Sequence, residues 1–169
     1  MFEVYSRNVP RVPNTKEHVA CGNYLAGKLE AFGAKVTNQY ADLIAYDGTL
    51  LKARNIIGSY KPESKKRIAL FAHWDTRPWA DNDADEKNHH TPILGANDGA
   101  SGVGALLEIA RLVNQQQPEL GIDIIFLDAE DYGTPHPPGG SSGSPAAPPG
   151  TPPGRGRRGV HRRPSVPPA

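Results

Sequence analysis

Three short polar clusters hold the side chains able to do chemistry in this chain: His73-Trp74-Asp75, Asn97-Asp98-Gly99 and Asp128-Ala129-Glu130-Asp131. Carboxylates and an imidazole arriving from separate stretches are the donor set of a catalytic Zn²⁺, provided one coordination position stays open for substrate. Each cluster also has a plainer reading. Asp98 before Gly99 suits a helix cap, the commoner role for such a residue taken alone. Glu130 and Asp131 suit a solvated strand end, and a lone His73 suits a hydrogen-bonded surface or core histidine. His89-His90 lies in a polar loop and is expected to face solvent. Trp74 and Trp79 either line a pocket or anchor that loop. What favours a metal site is the three clusters together, in this order, on one edge of a sheet.

That edge follows from the elements between them. Residues 68–72 (Ile-Ala-Leu-Phe-Ala) and 122–127 are nearly continuous apolar runs, which predicts strands buried on both faces. Between them come a long polar loop, 75–97, and a helix from about Gly99 to Asn114 with Leu106, Leu107, Ala110 and Val113 as its apolar stripe. Strand, helix, strand at this spacing predicts a right-handed crossover and a parallel pair in a mixed sheet. Each cluster then falls at a strand's carboxyl end or a helix start, where open α/β sheets form their ligand crevice. Asp98 also gains from the helix macrodipole, which keeps its carboxylate ionised.

Upstream, Asn14 reads as the N-cap of a helix with Glu17 at N3; Cys21, Leu25, Leu29 and Phe32 form one stripe, and Gly33 ends it. Residues 36–46 are extended but poorly patterned. Strands 55–60 and 67–73, joined by the polar loop 61–66, suggest an antiparallel pair. The fold class is α/β: a mixed, partly parallel sheet flanked by helices.

Composition divides the chain at Tyr132. All 18 acidic residues and 14 of the 19 basic ones precede Gly133, so residues 1–132 are mildly acidic. Residues 133–169 hold 11 of the 17 prolines, five arginines and no Ile, Leu, Phe, Tyr or Trp. Such a segment buries too little apolar surface to offset its ordering entropy, so a disordered Pro/Gly/Arg-rich tail is expected. Its composition is what a frame shift, or translation into unrelated GC-rich sequence, would produce. Five arginines without interleaved aromatics give no nucleic-acid signal. One cysteine excludes an intramolecular disulfide, and no apolar run reaches membrane-spanning length. No signal peptide is visible at the start.

The stretch "LFAHWDTRPWADNDADEKNHHTPILGANDGASGVGALLEIARLV" followed by "GIDIIFLDAEDYG" resembles the zinc aminopeptidase family, metallopeptidase family 28, and within it the bacterial glutaminyl cyclases. "RVPNTKEHVACGNYLAGKLEAFGAKV" and "ARNIIGSY" fit the same family, so the resemblance covers residues 1–132 and none of the tail. It implies that Asp98 and Asp131 bind metal, that Glu130 is the catalytic acid/base, and that His73 binds a second metal in dizinc relatives with Asp75 orienting it. It implies one Zn²⁺ for a cyclase or two for an aminopeptidase, and peptide or protein N-termini as substrate. An extracytoplasmic setting is implied by the resemblance alone. The family continues past "DAEDYG" with further strands and a late metal-binding histidine, which neither His136 nor His161 matches. The expectation for the chain as it stands is therefore an incomplete, non-catalytic fragment of such an enzyme.

Overall fold

The computed structural model describes residues 9–116 and 118–133. The predicted disordered tail therefore lies, but for Gly133, outside the described residues. In chain order the elements are α1 (Lys16–Ala31), β1 (Lys35–Ile44), β2 (Leu50–Tyr60), β3 (Arg67–His73), α2 (Ala100–Gln116) and β4 (Gly121–Leu127), with a 3₁₀ turn at Glu86–Asn88 in the loop before α2.

Helix α1 begins one residue later than the capping pattern suggests. Thr15 is the N-cap, its side chain accepting from the His18 amide. Asn14 instead takes a left-handed φ of 73°. Its amide group reaches β2, donating to Leu50 O at 2.9 Å and accepting from Lys52 N at 2.9 Å. Gly33, at φ 79°, ends the helix as expected. The Ala34 amide returns to Leu29 O and the Gly33 amide to Glu30 O, which satisfies the last carbonyls.

The sheet order is β1-β2-β4-β3. Strands β3 and β4 pair in parallel across the α2 crossover, as the strand–helix–strand spacing predicts. The expected β2–β3 pair does not form: β4 lies between them, antiparallel to β2. A six-residue loop spans one intervening strand, so sequence adjacency misled here.

Burial follows one face. Ile56, Tyr60, Ile122, Ile124 and Phe126 pack with Leu25 and Leu29 of α1 and with Val103, Leu107 and Ala110 of α2 in one core. All four residues of the predicted α2 stripe are buried. The alternate face carries no helix among the described residues, and β3 lies at the sheet edge. Ile68 is 45% and Phe71 62% exposed, so β3 is not buried on both faces as its apolar run suggested. An edge position exposes a strand whatever its composition. No described helix is long and apolar enough to cross a membrane.

Candidate metal centre

Parallel register sets the site. His73, the last residue of β3, pairs with Leu127, the last of β4, so both strands end level and their following residues share one rim. Asp98 comes to the same rim from the turn before α2. Gly99, at φ 78°, makes this approach possible: a Cβ there would sit 3.2 Å from both His73 Cε1 and Asp75 O.

One donor atom each from His73, Asp98 and Asp131 lies within 4.8 Å of the others. His73 Nε2 is 2.9 Å from Asp98 Oδ1. Asp98 is thus turned to the imidazole, not to the helix end, and the capping role gives way. His73 Nδ1 lies 3.5 Å from Asp75 Oδ1 and 3.8 Å from Glu130 Oε2, without a hydrogen-bond partner. Asp75 is fully buried and accepts from the backbone amides of Glu130 (3.4 Å) and Asp131 (3.0 Å). It therefore fixes the turn that bears the two acidic residues at least as firmly as it orients His73. Glu130 itself is 63% exposed, open to an incoming substrate.

Charge is unbalanced in this cluster. Asp75, then Asp98 and Glu130, hold the His73 imidazole up to about 9 against the opposing effect of burial. Burial, then Asp98 and Asp75, pushes the Asp131 carboxyl up to about 6, while His73 and Arg77 act the other way. Asp131 Oδ2 is buried with no hydrogen-bond partner. A buried carboxylate oxygen left unpaired, facing an imidazole and a second carboxylate, fits a divalent cation that supplies the missing positive charge.

Sequence reasoning missed the supports. Arg11 is buried, donating from Nε to Trp74 O (2.9 Å) and from its guanidinium nitrogens to Leu94 O (3.1 Å) and Gly95 O (3.0 Å). It clamps the loop that leads to Asp98. Arg77 grips Asp81 at 2.8 and 2.7 Å and comes within 4.0 Å of Asp131 Oδ1. Trp74 is an anchor, fully buried and stacked on His18 at 4.2 Å. Trp79 packs edge-on to Tyr46 and Tyr132. Asp128 turns away from the cluster to His18. His90 is exposed, whereas His89 is half-buried and bonds Asp83 O. The long-range contacts among these, such as Arg11 to Trp74 and Gly95 or His18 to Asp128, have no local sequence signal.

The carboxyl rim of this mixed sheet thus gathers two carboxylates and an imidazole, a donor set able to hold a divalent cation, beside an exposed glutamate. The chain belongs to peptidase family M28, whose sequence profile matches residues 55–146. It is 88% identical to the glutaminyl cyclase of Bacteroides thetaiotaomicron, solved bound to N-acetylhistamine, with a TM-score of 0.78 over 85% of this chain and 48% of that one. A Zn-dependent exopeptidase of Parabacteroides distasonis is 58% identical, with a TM-score of 0.77 over 84% of this chain and 50% of that one. Bovine glutaminyl-peptide cyclotransferase is 28% identical over 50% of this chain and 30% of its own length. The chain thus spans about half the length of the solved structures it matches.

Proposed function

We propose that this chain carries the metal-binding and proton-transfer groups of a zinc-dependent glutaminyl-peptide cyclotransferase, converting N-terminal glutamine to pyroglutamate. The observation that supports it is the convergence of His73, Asp98 and Asp131 donors within 4.8 Å, one rim position from the open Glu130. Names of the similar solved enzymes point the same way. Asp98 and Asp131 would hold the Zn²⁺, which when bound would act as a Lewis acid on the side-chain amide carbonyl of the glutamine.

The remaining steps belong to the protein. The substrate α-amine attacks the amide carbon, the new C–N bond closes the five-membered ring, and the original C–N bond breaks to release ammonia. Glu130 accepts the proton lost by the α-amine and delivers it to the departing nitrogen. Its exposure suits this, since a base must reach the substrate, and the adjacent Asp131 places substrate and base together. No water is consumed, so a single metal suffices.

A second reading keeps two metals and hydrolyses the N-terminal peptide bond with a bridging water. The direction of His73 into the cluster favours it, because that residue would complete a second site. Incubation with zinc and a glutaminyl peptide separates the two: ammonia with a pyroglutamyl product supports cyclisation, and a free amino acid supports the peptidase. Equilibrium dialysis tests both at once. A chain that fails to retain Zn²⁺ is a non-catalytic fragment, and both readings fall.

A further inference from the structure

We infer that the buried pair His18–Asp128 is a positioning device for Glu130 and Asp131, tying the first turn of helix α1 to the rim that carries the metal chemistry. This rests on the proposed reading of Asp131 as a ligand. His18 Nε2 lies 2.8 and 2.9 Å from the two Asp128 carboxylate oxygens. Their side chains are only 3% and 0% exposed. The imidazole is held flat against the fully buried Trp74, with ring centroids 4.2 Å apart and 17° between planes. The Trp74 Nε1 in turn donates to Arg54 O at 3.2 Å.

The pair does more than fill space. Asp128 Oδ2 accepts from the Arg54 amide at 2.7 Å, and Oδ1 from the Ala129 amide at 2.8 Å. The Asp128 amide donates to Asn55 Oδ1 at 2.9 Å. Every one of these contacts converges on the residue that precedes Ala129, which has a φ of 59°. A non-glycine residue in that region persists only when its surroundings hold it there. Immediately after it, the amides of Glu130 and Asp131 donate to Asp75. Two buried carboxylates therefore grip one strained turn from either side, and the two acidic side chains leave it in a fixed direction. Strand β4 alone does not set that direction, since it ends at Leu127.

A buried hydrogen-bonded pair with no further role would move stability and leave bound-metal geometry alone. The test is Co²⁺ titration of the full chain, read by affinity and by the visible d–d spectrum. H18F keeps the stacking on Trp74 and loses the hydrogen bonds; H18Q restores a donor. We expect H18F to bind Co²⁺ roughly 10–100-fold more weakly with shifted bands, the size of effect seen when a ligand loses its support. H18Q is expected to recover affinity and spectrum towards wild type. H18F with wild-type affinity and bands overturns the inference, as does an H18Q variant no better than H18F. If H18F does not fold by circular dichroism, H18F/D128N leaves no unpaired buried charge. That variant is expected to fold and still bind weakly, and unaltered binding again overturns the inference. A wild-type chain that binds no Co²⁺ sinks the metal reading and this inference with it, whereas the variants separate the two.

Discussion

At the scale of single residues, the fold favours a charged His73 and disfavours a charged Asp131. His73 is raised to about 9, so its contribution to stability is full below about 6.5 and is lost as pH climbs through 9. Asp131 is raised to about 6, so the folded state prefers it protonated and loses that preference as pH climbs from about 4 through 6. Both signs agree: with chelator present, the thermal midpoint should fall from pH 5 to pH 9.5. A flat or rising midpoint would contradict the charge imbalance. Asp131→Asn removes the buried carboxylate and should raise metal-free stability at pH 8 by about 1–2 kcal/mol, after screening by solvent, while abolishing metal binding. Cations compete with these same protons. Affinity for Zn²⁺ should therefore rise with pH through the Asp131 range near 6. A second rise towards 9 is expected only if His73 ligates, which makes the steepness of a calorimetric pH series a test of whether His73 is a ligand.

At the scale of elements, the sequence showed which strands end in chemistry but not how they neighbour one another. The parallel β3–β4 pair was legible because strand, helix and strand follow at crossover spacing. That pairing levels His73 with Leu127 and brings the clusters together. Strand β4 between β2 and β3 was not legible, since a short polar loop reads the same whether its strands touch or flank a third. His18 and Asp128 meet across 110 residues, and no periodicity marks such a contact. The ends of α1 were legible to within a residue, because capping is local: Thr15 caps where Asn14 was expected, and Gly33 closes as read, whereas α2 runs to Gln116, two residues past the expected Asn114. Gly33→Ala should lower stability by about 1–2 kcal/mol, since φ 79° strains an L-residue and its Cβ would meet Asn114 Oδ1 at 2.5 Å. Gly27→Ala is the control. It lies inside α1 with nothing within 4 Å of a new Cβ, so urea unfolding should show a gain of about 0.5–1 kcal/mol. Equal effects at both glycines would mean that helix propensity, not the terminal conformation, governs α1.

At the scale of the whole molecule, both helices lie on one face of a four-stranded sheet, and the other face determines how the chain behaves in solution. Register aligns Phe71 with Ile125 of β4, and Ile125 with Ile57 of β2, in one row across three strands. The alternation of side chains places all three opposite the core. Phe71 is 62% and Leu127 36% exposed. Along one side of the row, two residues away on β4 and β2, Asp123 and Ser59 form a polar border with Arg67, Ser59 Oγ donating to Asp123 at 2.6 Å. An apolar row ending on a sheet edge is a template for association. The chain should accordingly enhance the fluorescence of an apolar dye and sediment with a concentration-dependent mass. Phe71→Lys sets a charge at the edge-strand end of the row without touching the helix-covered core, so it should reduce both signals while leaving the circular dichroism spectrum and the metal titration unchanged. Dye binding that survives Phe71→Lys would locate the exposed apolar surface elsewhere, with the hairpin residues Tyr40 and Ile44, each 71% exposed, the next to substitute.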